Sequence, residues 1–166
     1  ASGEATPLAI PALLPQSMEN KVPDATAPDA VNVRLQFDEQ NATGFAYDAE
    51  SATYKMLHAD GTPQLDANSG QQAAFDNLLV LFSASALRDD EQTFDYDLSM
   101  GGGVWLNGGH LWYITWTQGT DTTFQFYDAD GELLTLNAGR SYLALVSSVT
   151  GQELTVTNSA GENLIQ

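Results

Sequence analysis

The sequence has 166 residues, and its 22 aspartates and glutamates against 5 lysines and arginines give a formal net charge of −17 at pH 7. This charge repels the phosphate backbone on which nucleic-acid binding depends, so we expect no nucleic-acid partner. The chain has no cysteine, which excludes disulfides, zinc–thiolate sites and cysteine nucleophiles. At this length one domain can bury a core without disulfides or a structural metal. The high net charge favours a monomer.

The N-terminal part of the sequence differs in composition from the rest. Residues 1–30 contain five of the six prolines, with alanine, serine and threonine between them. This composition predicts a proline-rich linker or an extended N-terminal segment over residues 1–30. A single antiparallel β domain is predicted over residues 31–166.

Period-two alternation of apolar and polar residues begins at Val31 and recurs along the chain. Strands are predicted at residues 31–37, 44–47, 53–59, 78–82, 94–98, 103–106, 110–117, 122–127, 133–136, 142–146 and 154–157. Leu78–Phe82 is continuously apolar, which indicates a strand covered on both faces. Glycine-containing turns separate many of these segments. The pattern predicts a mainly β fold, an antiparallel sheet that closes as a barrel or a sandwich, with at most one or two short helical turns.

The order of the segments resembles a known family. The stretch AYDAESATYKMLHADGTPQLDANSGQQAAFDNLLVLF, the glycine-rich hairpin that ends in Ile114-Thr115-Trp116, and FYDADGELLTLNAGRSYLALV follow one another as in the C-terminal domain of YerB-like bacterial lipoproteins. The resemblance covers roughly Val31 to Val146 and includes a basic residue, Arg140, where lysine is common. The family has no established function.

The resemblance implies an extracellular location, on a protein anchored at the cell surface. The N-terminal domain and the lipid-attachment cysteine of such lipoproteins have no counterpart in this segment. No run approaches the roughly 20 apolar residues that cross a bilayer, so we expect membrane contact only through a lipid anchor outside this segment.

Acidic residues and histidines offer few specific sites. The sequence Asp128-Ala-Asp130-Gly131-Glu132 resembles part of a calcium loop, but its early glycine and flanking strands favour a hairpin turn. Asp95 and Asp97 lie on the same side of a predicted strand and form a candidate carboxylate pair, although a solvated strand face is favoured. His58 and His110 have neither metal-ligand spacing nor a nucleophile elbow. We therefore predict no metal, no cofactor and no catalytic residue.

The hairpin at residues 101–117 contains all three tryptophans. Alternation places His110, Trp112, Ile114 and Trp116 on one face, which we expect to be the core face, and Leu111, Tyr113 and Thr115 on the other. Trp105 is the best single candidate for an exposed aromatic, with core packing and ligand stacking both open. Tyr113 would extend a stacking surface.

Two further polar features could either support the fold or line a cleft. Asp76 and Asn77 precede the buried strand, where they would cap backbone groups or face a ligand. Arg140 is a rare cation that would pair with a carboxylate or bind an anion. The candidate ligand-binding residues are therefore Trp105, Tyr113, His110, Asp76, Asn77 and Arg140.

These observations predict a non-catalytic extracellular domain of a bacterial cell-envelope lipoprotein that binds a protein or an envelope polymer. The alternative is an envelope hydrolase that acts on glycan or peptidoglycan through acidic residues. Two facing carboxylates in a cleft would favour the hydrolase, whereas an apolar and aromatic surface would favour binding.

Overall fold

The structure is a computed structural model that describes residues 16–17, 27–83, 85–87, 94–96, 100–119, 124–137, 139–147 and 151–165. All regular structure in these residues is β, and they contain no helix. The first eight strands are β1 (Gln16–Ser17), β2 (Asn32–Gln36), β3 (Ala42–Asp48), β4 (Thr53–Leu57), β5 (Ala74–Phe75), β6 (Asn77–Ser83), β7 (Ser85–Leu87) and β8 (Phe94–Tyr96). The remaining strands are β9 (Met100–Asn107), β10 (His110–Gln118), β11 (Phe124–Tyr127), β12 (Leu133–Leu134), β13 (Leu136–Asn137), β14 (Ser141–Ser147) and β15 (Glu153–Thr157).

Two main sheets contain most of these strands. The six-stranded sheet has the order β12-β11-β10-β9-β6-β14, and the five-stranded sheet has the order β15-β2-β3-β4-β5. Neighbours in both sheets are antiparallel except β6 and β14, which run parallel. Two small pairs, β1 with β13 and β7 with β8, complete the strand pairing.

The two main sheets pack against each other around an inner core. The five-stranded sheet contributes Val33, Leu35, Phe45 and Tyr54, which meet residues of β6, β9 and β14 such as Val80. Because inward-facing residues alternate with outward-facing ones, each strand supplies every second side chain to this core. The mainly antiparallel β prediction is confirmed, and the arrangement is a sandwich and not a closed barrel.

A second cluster lies on the other face of the six-stranded sheet. We call it the outer cluster, and its buried members are Leu79, Leu81, Trp105, Trp112, Ile114, Trp116, Phe124, Phe126, Leu134 and Leu136. Residues 78–81 of β6 and residues 103–107 of β9 are therefore buried on both faces, as the continuous run Leu78–Phe82 predicted for its own strand. The prediction that Trp112 and Trp116 lie in the interior is also confirmed.

Of the two alternatives left open for Trp105, the structure shows core packing and not an exposed aromatic. The Trp105 side chain is 0% exposed, because one face of β9 contacts the inner core and the other contacts the outer cluster. Trp105 pairs directly with Trp112 across the hairpin, with 5.2 Å between the ring centroids. Sequence alternation identified two opposite faces of β9 correctly, but both faces are covered at the position of Trp105.

Packing explains two of the three consecutive glycines in β9. A Cβ atom at Gly101 would lie 2.3 Å from the Phe82 carbonyl oxygen and 2.8 Å from Trp116 Nε1. At Gly103 it would lie 2.7 Å from the Val80 carbonyl oxygen. At Gly102, by contrast, the nearest atom would be 4.0 Å away, so packing does not require glycine there.

The described part of the predicted N-terminal segment is hydrogen-bonded to the sandwich. β1 pairs with β13, and the Ala30 amide donates to the Gly109 carbonyl at 2.6 Å. The hydroxyl of the buried Tyr54 donates to the Ala30 carbonyl at 2.9 Å. Residues 1–15 and 18–26 lie outside the described residues. The domain boundary at residue 30 stays a prediction.

Candidate functional site

Four of the six candidate residues meet at the beginning of β6. The fully buried Asn77 is the centre of this group. Its Oδ1 atom accepts hydrogen bonds from Trp105 Nε1 and from Asn107 Nδ2, each at 3.0 Å, and its Nδ2 atom donates to Ser141 Oγ at 3.2 Å. These bonds link β6 to both of its neighbours, β9 and β14, so Asn77 and Trp105 act here as structural residues.

Asp76 and Arg140 belong to the same polar network. The Arg140 amide donates to Asp76 Oδ2 at 2.9 Å, while the Asp76 and Asn77 amides donate to the Arg140 carbonyl at 2.8 Å and 3.1 Å. Gly139 has a φ of 130°, and a Cβ there would lie 2.3 Å from Asp76 Oδ2. The Arg140 guanidinium lies 5.1 Å from the centroid of the Phe75 ring. These contacts fasten the parallel pair β6–β14.

His110 lies near this network at the beginning of β10. Its Nδ1 atom is 3.0 Å from the Ala27 carbonyl oxygen, and its ring is 6.0 Å from that of Trp112. Hydrogen bonds from Ser159 lower the pKa of Asp29, which forms a β-bridge with His110, and the histidine adds to the same effect. These contacts hold residues 27–30 against the sheet.

Tyr113 lies apart from the other five candidates, on an exposed part of the six-stranded sheet. In the strand register Tyr113 pairs with Val104, so it lies on the same face of the six-stranded sheet as the inner core. Tyr113 is exposed, because the five-stranded sheet does not cover this part of that face. We call this surface the open face and define it by Met100, Gly102, Tyr113, Thr115, Thr117, Gln125, Tyr127 and Leu133.

The open face concentrates exposed apolar side chains. Met100, Tyr113 and Leu133 are 64%, 55% and 58% exposed. Leu65 is the other large hydrophobic side chain with comparable exposure among the described residues, and it lies in the connection between β4 and β5, where it forms a β-bridge with Gln72. None of the eight residues that define the open face is charged, although the chain carries a net charge of −17. A face on which exposed apolar side chains gather without charge is a candidate interaction site.

Hydrogen bonds orient both tyrosines of the open face. The Tyr113 hydroxyl donates to the Leu164 carbonyl at 2.9 Å, and the Tyr127 hydroxyl donates to Gln125 Oε1 at 3.1 Å. Tyr127 pairs with Thr115, so the two tyrosines are diagonal neighbours on adjacent strands. Gly102 also lies opposite Thr115. Gly102 is exposed, and a Cβ there would have no atom closer than 4.0 Å, so the missing side chain leaves the β9 backbone uncovered diagonally to Tyr113. We call this uncovered position the depression; a glycine in a strand can mark a place where a ligand approaches the backbone.

An acidic turn borders this surface between β11 and β12. Asp128 Oδ1 accepts hydrogen bonds from the Asp130 and Glu132 amides, each at 2.9 Å, and Gly131 has a φ of 84°. The prediction of a hairpin turn is confirmed. The described residues contain no group of three side chains suited to hold a metal ion.

Four carboxyl groups of the described residues have lowered pKa values, and Asp29 is one of them. The hydrogen bond from Lys55, whose ammonium lies 2.7 Å from the carboxylate, lowers the pKa of Asp48 to about 2. Side-chain hydrogen bonds from Asn41, Thr62 and Ser159 lower those of Asp38, Asp60 and Asp29. All four favour the ionised form, whereas a general acid needs a raised pKa. The candidate pair Asp95 and Asp97 cannot be compared with them, because Asp97 lies outside the described residues.

His58 borders an open groove at the edge of the five-stranded sheet where β2 and β4 end and β3 begins. The groove has a volume of about 630 Å³, and residues 37, 40–43, 58–60 and 62 line it. Asp60, beside His58, accepts hydrogen bonds from the Thr62 amide and hydroxyl at 2.9 Å and 2.6 Å. The carboxylate therefore closes a turn.

The sequence matches, over residues 33–143, the family described as "Protein of unknown function (DUF3048) C-terminal domain". The chain belongs to this family. The match confirms the predicted resemblance and includes the whole open face. No curated protein matches the sequence.

A solved structure agrees with this assignment to the DUF3048 C-terminal domain. The fold is similar to the crystal structure of the YerB protein from Bacillus subtilis, with a TM-score of 0.68 and 20% sequence identity. The alignment covers 86% of this chain and 46% of the YerB chain, so this chain spans less than half of that protein. At this identity the similarity shows the fold alone. Among the described residues of this family member, no helix is long and apolar enough to span a membrane.

Sequence reasoning found Tyr113 but missed its neighbours on the open face. Thr115 was placed on the same side of its strand, yet Met100, Gly102, Gln125, Tyr127 and Leu133 were not connected with it. The sequence feature that indicates part of the open face is the alternation of Gln125 and Tyr127 with the buried Phe124 and Phe126. It becomes informative only when the register of β10 with β11 is known.

Proposed function

We propose that this chain is a non-catalytic binding module of a bacterial cell-envelope lipoprotein, and that it contacts a protein or an envelope polymer through the open face. The observation that carries the proposal is an uncharged, partly aromatic surface on a chain with a net charge of −17. The resemblance to YerB-like lipoproteins supports the extracellular location that this proposal includes.

The physical support is the gain from covering this surface. Met100, Tyr113 and Leu133 are each more than half exposed, and burying apolar area against a partner is favourable by about 25 cal/mol per Å². The two tyrosines are already oriented by hydrogen bonds, so less side-chain freedom is lost on binding. Tyrosine and methionine are also enriched at recognition surfaces.

Four of the other candidate residues have contacts that support the fold. Asp76, Asn77, Trp105 and Arg140 are engaged in contacts that hold β6 to β9 and β14. The four carboxyl groups of the described residues with shifted pKa values are shifted downward, so they lack the raised pKa that the general acid of an envelope hydrolase needs.

Affinity capture from solubilised bacterial cell envelope tests the proposal. The bait is the wild-type domain, a Gly102→Gln variant that fills the depression, and a Leu65→Ala variant as the matched control for loss of an exposed apolar side chain elsewhere. We expect the same protein or polymer to be enriched by the wild type and by Leu65→Ala, and lost with Gly102→Gln. No enrichment, or equal enrichment by all three baits, would contradict the proposal.

A further inference from the structure

The geometry points to an uncharged, hydroxyl-rich polysaccharide strand as the ligand of the open face. This inference rests on the proposed function and names the chemical class of the polymer. It combines the arrangement of the two tyrosines, the polar groups between the strands, the depression at Gly102 and the charge of the chain.

The tyrosines provide the first argument. One side of a pyranose ring presents C–H groups, which pack on the electron-rich face of an aromatic ring. Tyr113 and Tyr127 lie diagonally on neighbouring strands, and each hydroxyl is held by a hydrogen bond. Two oriented rings on a rigid sheet form a platform for successive sugars at a small cost in side-chain entropy.

The residues around the tyrosines match the polar edges of a sugar. Thr115, Thr117 and Gln125 supply hydroxyl and amide groups that donate to and accept from sugar hydroxyls. The absent side chain at Gly102 leaves room for a ring to approach the sheet. Strand spacing makes the surface from β9 to β12 about 14 Å wide, which accommodates a chain of several sugars.

The charge of the protein selects among polymers. The open face offers no cation to a phosphate or carboxylate, and the net charge of −17 disfavours the approach of anionic chains. A neutral glycan avoids this repulsion. A protein partner would use the exposed Met100 and Leu133 as aliphatic anchors, and the experiment distinguishes it from a glycan.

The test is an NMR titration of the isotopically labelled domain with three neutral oligosaccharides, chitohexaose, cellohexaose and maltohexaose, and with anionic oligogalacturonate. We expect at least one neutral probe to shift the signals of Tyr113, Gln125 and Tyr127, and oligogalacturonate to shift none. Gly102→Gln and Tyr113→Ala should each weaken binding about tenfold or more, Tyr113→Phe should weaken it less because the ring is kept while its orienting hydrogen bond is lost, and Leu65→Ala should retain it. Thermal unfolding of each variant establishes that it is folded.

Binding of no neutral probe, shifts confined to another surface, or equal binding of oligogalacturonate would overturn the inference. If these results accompany capture of a protein from the envelope that Gly102→Gln abolishes, the ligand is a protein and the proposed function stands. If the capture experiment also shows no dependence on Gly102, both the inference and the proposed function fail.

Discussion

Substitution of the three consecutive glycines by alanine, one at a time, tests the register that creates the open face. A Cβ at Gly101 would lie 2.3 Å from the Phe82 carbonyl oxygen and one at Gly103 would lie 2.7 Å from that of Val80. Ordinary contact begins at about 3.4 Å. The backbone must therefore separate by roughly 1 Å at position 101 and somewhat less at 103, and overpacking of this kind destabilises by about 1–3 kcal/mol.

Gly102→Ala should behave in the opposite way. Its new methyl group would point onto the open face with 4.0 Å to the nearest atom, and replacing glycine in a strand removes an entropic cost of about 0.5–1 kcal/mol. Urea unfolding followed by tryptophan fluorescence should therefore give the order Gly102→Ala, wild type, Gly103→Ala, Gly101→Ala, from most to least stable. If Gly102→Ala destabilises as much as Gly101→Ala, the register of β9 is wrong and the open face does not exist as defined.

Three further predictions concern the buried network and the surface carboxylates. Asn77→Ala should lower the free energy of unfolding by about 2–4 kcal/mol, measured by urea denaturation, because the Trp105 indole N–H loses its buried acceptor. Trp105→Phe should destabilise more than Trp112→Phe in the same assay, since the buried Trp112 nitrogen has no hydrogen-bond partner among the described residues; equal losses would argue against the network. Asp48 has a folded-state pKa of about 2, below its usual value, so its ion pair with Lys55 stabilises the fold above about pH 4 and is lost as the pH falls towards 2. Unfolding of Asp48→Asn between pH 5 and pH 2 should show a weaker pH dependence than the wild type, and an unchanged profile would refute this assignment.

Local patterns were sufficient to predict the strands and much of the core. Leu78–Phe82 reads as a fully buried strand because every residue is apolar, and Trp112 and Trp116 share a face because they are separated by an even number of positions. The turn at Asp130–Gly131 follows from residues that tolerate positive φ. Each of these inferences depends only on neighbours in sequence.

Features that depend on distant parts of the chain were not predictable in this way. The burial of Trp105 depends on clusters that cover both faces of its sheet. The contact between Asp76 and Arg140 joins residues 64 positions apart, through a parallel pairing that no local pattern specifies. The open face combines side chains from four strands, so only their mutual register reveals that Tyr113 and Tyr127 are neighbours.

Photo-crosslinking in the cell that makes the protein tests the central claim most directly, because it examines the open face against its native surroundings. Benzoylphenylalanine is introduced in place of Thr115, at the centre of the open face, or in place of Thr155, a partly buried residue of the five-stranded sheet, as the control. The proposed contact predicts a specific adduct from position 115 and none from position 155. No adduct from position 115, or the same adducts from both positions, would contradict the assignment of the open face as the binding surface.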